Sequence, residues 1–317
     1  MHNHLLKNKS TLGNQMRVFL HVTYDCNAHC VHCAVPRRED YIDPAVFKKM
    51  IDTIPMEFLI IGGGEPLKHP SLEDMISYAS QRTKVKIETN GNLLTREFLL
   101  RNRQYLFQIN VSIDGLEETH DQIRGLDTFL HTVEMIRYAR ELSIDVAVWS
   151  VIMKDNNDEY SKIISLCENM GVDKISFLYA TPVGRCHEGM TLPIPAYQKL
   201  VEKIQETKGK LQVRIAPYVL QSSSMENPAC LINDDDILHV DPLGDIYPCV
   251  LLLDNPSFCL GSIEKGYILH HVADPSICQG LVVSLGKDTR EQYGIPVCPC
   301  KTITKEWVFT DPPVESS

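Results

Sequence analysis

The chain has 317 residues, 44% of them hydrophobic, enough for one large domain and a smaller one. Its formal net charge of −10 offers no broad phosphate-binding surface, which sets tRNA and DNA aside as substrates. No apolar run approaches the roughly 18 residues of a membrane span, and the polar N-terminal stretch lacks the apolar core of a signal peptide. Eleven cysteines, odd in number and clustered as Cys26/Cys30/Cys33 and Cys298/Cys300, suit metal binding in a reducing compartment rather than a disulfide framework. The expectation is a cytoplasmic protein with no nucleic-acid or membrane partner.

Residues 1–16 read as a tail. From there short β-branched runs alternate with periodic segments. The predicted strands are Val18–Val22, Phe58–Ile61, Val85–Glu88, Gln108–Ile113, Val146–Ile152 and Lys174–Tyr179. Helices are expected near 44–53, 71–81, 95–103, 128–142 and 157–170, the last opened by an N-cap-like Asp155-Asn156-Asn157 and closed at Met170-Gly171. Six βα units predict an α/β fold with a parallel sheet, either open and doubly wound or curled into a barrel. After Ala180 the rhythm changes. A helix near 196–208 and a strand at Gln212–Ala216 precede a loop-rich region that carries six of the eleven cysteines, from Cys230 onward. The domain boundary is placed near residue 220, giving a core at 17–220 and a smaller domain at 221–317.

The first predicted strand runs directly into Tyr24-Asp25-Cys26-Asn27-Ala28-His29-Cys30-Val31-His32-Cys33. A C-x3-C-x2-C loop can hold three corners of an iron–sulfur cubane and leaves the fourth iron open to another ligand. Further motifs follow the predicted strands in turn. They are Gly62-Gly63-Gly64-Glu65-Pro66, Glu88-Thr89-Asn90-Gly91, and Asn110-Val111-Ser112-Ile113-Asp114-Gly115 with His120 and Arg124-Gly125 behind it. Read alone, each is a turn or a surface residue. Together with the cysteine loop they resemble the radical S-adenosylmethionine (SAM) superfamily.

That resemblance implies a partial (β/α)6 TIM-like barrel with its cluster loop after the first strand. It implies a [4Fe–4S] cluster on Cys26, Cys30 and Cys33 whose free iron chelates SAM. It points to Gly63, Gly64, Glu65, Pro66, Thr89, Asn90, Asn110, Ser112, Asp114 and Arg124 as cofactor-binding residues. Arg124 is the fork for the SAM carboxylate. Phe19, Tyr24 and His32 surround the loop, and Trp149 to Val151 read either as flanking adenine or as core residues. A reductant protein of flavodoxin or ferredoxin type is the implied partner.

Toward the C-terminus, Cys230, the turn Asp241-Pro242-Leu243-Gly244-Asp245 and Cys249 form C-x13-G-x4-C, with the glycine in a hairpin-like turn, and Cys298-Pro299-Cys300 follows. This resembles the auxiliary-cluster extension called SPASM when complete and Twitch when shortened. It implies one auxiliary [4Fe–4S] cluster on Cys230, Cys249, Cys298 and Cys300. Cys259 and Cys278 are alternatives, and four thiolates suit zinc equally well. Cys186, just past the sixth strand, reads either as an ordinary loop cysteine or as a hydrogen-atom donor to a substrate radical. Relatives with the extension modify ribosomal peptides or tailor amino sugars, tetrapyrroles and quinones. The expected substrate is a peptide or protein, with a small molecule as the alternative. A first strand near residue 17 leaves no room in this chain for a leader-peptide-binding domain ahead of it. The competing reading from another class is a zinc-stabilised binding protein.

Overall fold

The computed structural model describes residues 17–207, 209–215, 237–247, 250, 253–256, 259–265, 267–268 and 307–308. In chain order these form β1 (Arg17–Thr23), α1 (Pro44–Thr53), β2 (Phe58–Gly63), α2 (Leu72–Ser80), β3 (Lys84–Thr89), α3 (Arg96–Asn102), β4 (Leu106–Ser112) and α4 (Glu117–Arg124). There follow α5 (Phe129–Glu141), β5 (Val146–Ile152), α6 (Tyr160–Asn169), β6 (Lys174–Tyr179), α7 (Ile194–Glu206) and β7 (Gln212–Ile215). The remaining strands are β8 (Ile237–Val240), β9 (Asp245–Tyr247), β10 (Gly261–Ser262), β11 (Tyr267–Ile268) and β12 (Trp307–Val308).

Strands β1 to β7 lie side by side in sequential order, all parallel. That order decides between the two sheets left open above. A doubly wound sheet reverses direction at a switch point. Successive right-handed crossovers without reversal put every helix on one face and curl the sheet into a partial barrel. The strand residues alternate accordingly. Val18, Leu20, Leu59, Ile61, Val85, Ile87, Ile109, Val111, Val146 and Val148 face outward into one buried core with Phe47, Met50, Ile76, Leu99, Ile136 and Ile163 of the helices. The opposite, inner face carries Phe19, His21, Lys86, Glu88, Asn110, Ser112, Trp149 and Lys174, and is far more polar.

Beyond β1 the sheet continues. Strand β8 pairs parallel to β1, Arg17 opposite Ile237 and Leu20 opposite Val240, and turns back through β9. Gly244 takes φ +79° in that turn, where the Asp241 carboxylate accepts from Leu243 N at 2.9 Å and Asp245 N at 2.8 Å. The expected hairpin is therefore present. The expected boundary near 220 lies outside the described residues, as do Cys230, Cys249, Cys278, Cys298 and Cys300.

Two local expectations are corrected. Helix α4 was absent from the predicted elements, because Glu117–Arg124 has one strongly apolar residue, Ile123, and so no visible stripe. Its signals were at its ends. Glu117 and Glu118 occupy the first turn, Arg124 the last, and Gly125 closes it at φ +67°. Helix α6 starts at Tyr160, three residues later than expected, since Asn156 does not cap it. The Asn156 side chain accepts from Met153 N at 2.7 Å and donates to the carbonyls of Asp114 at 2.6 Å and Val151 at 2.7 Å. It fastens the ends of β4 and β5 together. The C-cap is as expected, with Gly171 at φ +69°.

Candidate functional site

The cysteine loop leaves the C-terminal end of β1, the end at which parallel barrels carry their chemistry. It is held from three directions. From the end of β2, Gly64 N donates to Thr23 O at 2.8 Å and Glu65 N to Asp25 O at 2.8 Å. From the C-terminus of α4, the carbonyls of Arg124 and Ile123 accept from His29 N at 2.9 Å and Val31 N at 3.0 Å. From the loop after β6, Arg185 N donates to Cys33 O at 3.0 Å.

These contacts explain the glycines. A Cβ on Gly64 would stand 2.1 Å from Asp25 O, one on Gly63 2.3 Å from Thr23 O, and one on Gly184 2.5 Å from Cys33 O. Gly63 and Gly184 also have positive φ, at +125° and +66°. The Gly-Gly-Glu-Pro segment therefore lets the backbone of β2 close onto the cysteine loop. Gly64→Ala is expected to push that loop away, lowering stability by about 1–3 kcal/mol and reducing bound iron. Thermal melting and iron analysis of the reconstituted variant check this.

Glu65 is fully buried. Its carboxylate accepts from Thr89 Oγ1 at 2.8 Å, Asn90 N at 2.9 Å and Leu67 N at 3.2 Å, tying the end of β2 to the end of β3. Burial pushes its pKa up to about 7, against those hydrogen bonds. Pro66 begins the short 3-10 turn that Glu65 caps. Asn90 reaches the loop itself, donating to Asn27 Oδ1 at 2.8 Å and lying 3.9 Å from Cys26 Sγ. The carboxamide of Asn110 donates to Glu88 at 3.1 Å, and its Oδ1 has no partner among the described residues. Ser112 lies one inner-facing position further along β4.

Asp114 and Arg124 form the charged brace of the site. Arg124 Nη2 stands 2.6 Å from Asp114 Oδ2, and Nη1 lies 3.6 Å from Cys30 Sγ. The 2.6 Å contact is an ion pair without hydrogen-bond alignment, and Asp114 Oδ2 has no hydrogen-bond donor among the described residues. Asp114 Oδ1 accepts from Val151 N at 2.8 Å. Burial works against the Asp114 carboxylate, but Arg124, His32 and His120 outweigh it and hold its pKa below the usual value. His32 and His120 are each depressed to about 4, chiefly by burial, and so are neutral at pH 7. The guanidinium thus bridges a carboxylate and a loop thiol.

The thiols themselves test whether a metal fits. Burial first, then the neighbouring Glu65, Cys30 and Cys33, pushes Cys26 up to about 11. Burial also raises Cys30, opposed by Arg124. Neighbouring thiols that resist ionisation and penalise one another become thiolates only against strong positive charge, which iron supplies. Among the described residues no three His, Cys, Asp or Glu side chains converge on a point for one ion. A cubane asks for something else, one thiolate per iron corner, and Cys26, Cys30 and Cys33 stand on this loop as three free thiols. Cys186 follows the Arg185 whose N donates to Cys33 O, and is buried among Ile123, Met153 and Ala180 with Val31 of the cysteine loop packed against them, its thiol raised by burial.

Two features were not singled out from the sequence. His21 on β1 and His239 on β8 face each other at 3.3 Å beside Phe19, from positions 218 residues apart. Glu159 reaches from the start of α6 to accept from Leu116 N at 2.8 Å and Thr119 Oγ1 at 3.1 Å at the head of α4. Neither has a local motif, since each pairing exists only once distant elements meet.

Comparison with known proteins agrees with this architecture. Residues 20–168 match the Radical SAM superfamily. The AdoMet-dependent heme synthase of Methanosarcina barkeri is 31% identical over 214 residues, 62% of this chain and 61% of that protein. The antilisterial bacteriocin subtilosin biosynthesis protein AlbA of Bacillus subtilis is 25% identical over 270 residues, 79% of this chain and 59% of AlbA. The chain therefore spans about three fifths of the length of each. The structure of Streptococcus suis SuiB bound to S-adenosylmethionine superposes with a TM-score of 0.67 at 16% identity, covering 80% of this chain and 64% of SuiB. Fold, cysteine loop and family match coincide on the same residues, 20–168.

Proposed function

We propose that this protein is a radical SAM enzyme whose N-terminal cluster is held by Cys26, Cys30 and Cys33. The observation that carries the reading is the C-x3-C-x2-C loop clamped at the C-terminal end of β1, within the residues that match the Radical SAM superfamily. A cluster held by Cys26, Cys30 and Cys33 would supply the electron for reductive cleavage of SAM, the chemistry that abstracts hydrogen from substrate. The chain's part is to bind, orient and exclude water. Gly63 and Gly64 bring the β2 end against the loop, and Glu65 locks that end to Thr89 and Asn90. Asn110 and Ser112 offer polar groups to a ligand on the inner face. Asp114 fixes Arg124 beside Cys30. A zinc-stabilised binding protein would have no use for this conjunction at the strand ends.

The substrate we favour is a peptide or protein, because AlbA matches over 79% of this chain. Tetrapyrrole tailoring is the second reading, favoured by the higher identity, 31%, to the heme synthase. One auxiliary [4Fe–4S] cluster on Cys230, Cys249, Cys298 and Cys300 and a flavodoxin- or ferredoxin-type reductant complete the proposal. Among the described residues no helix is long and apolar enough to cross a membrane.

Anaerobically reconstituted protein should carry about eight irons, two cubanes, and release 5′-deoxyadenosine from SAM under dithionite. Colourless protein that binds zinc and leaves SAM intact would overturn the reading. Cys186→Ala tests the hydrogen-donor role. Loss of product formation or altered stereochemistry, with SAM cleavage retained, is expected if the thiol donates. Unchanged product removes it from the mechanism.

A further inference from the structure

Arg124 ends α4 with its side chain 10% exposed, and its two terminal nitrogens face different groups. Nη2 stands 2.6 Å from the carboxylate of the fully buried Asp114, and Nη1 3.6 Å from Cys30 Sγ. Nε has no partner among the described residues, so the guanidinium divides its charge between one carboxylate and one thiol. Both residues are anchored to the frame of the site. Asp114 Oδ1 accepts from Val151 N at 2.8 Å, and Asp114 N donates to His120 Nδ1 at 3.2 Å. Arg124 O accepts from His29 N, one residue before Cys30, at 2.9 Å.

Among the described residues the other two sulfurs meet neutral groups. Ala28 N is 3.4 Å and Asn90 Nδ2 3.9 Å from Cys26 Sγ, and Val35 O is 3.9 Å from Cys33 Sγ. Arg37 reaches the loop at Cys26 O, at 3.2 Å, but from an exposed position where water and salt screen its charge. Reduction of a cubane adds one electron and no proton to a site that three thiolates already make negative. Net charge and hydrogen bonds to the sulfurs set how favourable that step is. A cation buried against one sulfur favours the reduced form, and a carboxylate behind the cation subtracts from its effect.

We infer that the Asp114–Arg124 pair sets the reduction potential of the cluster on Cys26, Cys30 and Cys33. Arg124 raises it through the sulfur of Cys30, and Asp114 holds it down by taking part of the guanidinium's charge. Both are positioning residues, acting through Cys30 and not on substrate. This rests on the cluster reading above and adds what governs the cluster's uptake of an electron.

The test is a redox titration of the reconstituted holoenzyme without SAM, so that it needs no turnover. It follows the electron paramagnetic resonance signal that Cys30→Ala lacks. Two variants pull in opposite directions. Asp114→Asn keeps an acceptor for Val151 N and removes the charge. Its reduction equilibrium constant should rise about ten-fold, a shift of about 59 mV upward for one electron. Arg124→Lys keeps a cation for Asp114, but a single nitrogen cannot span both carboxylate and sulfur. Its constant should fall about ten-fold. Asp114→Glu, which keeps the carboxylate, should titrate near wild type. A brace that merely held the loop in place would move both potentials the same way or neither. Unmoved potentials, or shifts of one sign in Asp114→Asn and Arg124→Lys, would overturn the inference and leave the cluster reading standing. Should Asp114→Asn load less iron than wild type, the direction of the Arg124→Lys shift decides. A wild-type protein without such a signal, or a Cys30→Ala variant that retains it, sinks the cluster reading and the inference with it.

Discussion

Cys30→Ala yields a folded protein without its N-terminal cluster and without detectable SAM cleavage. Cys30 is the most buried of the three loop cysteines and the only one in contact with Arg124, at 3.6 Å. Its side chain contributes little to the hydrophobic core, whose residues lie on the opposite, outward face of the strands. Far-UV circular dichroism should therefore be unchanged. Two remaining thiolates hold only two corners of a cubane, and no fourth cysteine lies near in sequence, the next being Cys167 inside α6. Iron should fall from about eight to about four per chain, and 5′-deoxyadenosine formation should fall below detection. A variant that keeps the wild-type iron content would mean that Cys30 is not a ligand.

The second large effect concerns the brace. Arg124→Ala leaves Asp114, fully buried, without its cation, and His32 and His120 are depressed to about 4 and cannot replace it. Removing one member of a buried ion pair costs about 3–5 kcal/mol. The backbone bonds from α4 to His29 and Val31 place the same damage on the cysteine loop. We expect a melting temperature lower by many degrees together with loss of iron. Asp114→Asn should be milder, because an amide still accepts from Val151 N while the arginine keeps its contact with Cys30. Chemical denaturation of both variants checks the order. If Arg124→Ala melts within about 1 kcal/mol of wild type, the pair is worth no more than a surface bridge and the brace is misread.

Much of the fold was legible because the barrel is regular. Each of the strands from β1 to β6 is a β-branched run that needs no distant partner to be recognised, and the helices between them carry apolar stripes. The strand-end motifs were legible for the same reason, lying where a period ends. Their physical roles were less so. Glu65 reads as a ligand acceptor in sequence but spends its carboxylate on Thr89 and Asn90. Arg124 reads as an open fork but already spans Asp114 and Cys30. Asn156 looks like a cap and is a clasp between strands. In each case the side chain takes a partner 24 or more residues away in sequence, Thr89 for Glu65, Cys30 for Arg124 and Asp114 for Asn156, which no local window contains.

The most direct test is electron paramagnetic resonance of the dithionite-reduced, reconstituted protein with and without SAM. The account predicts a reduced [4Fe–4S] signal that changes on adding SAM, because SAM occupies the iron left open by Cys26, Cys30 and Cys33. The SAM-sensitive signal should be missing from Cys30→Ala. A wild-type signal unaltered by saturating SAM would contradict the claim that the loop after β1 holds a cluster with an open iron.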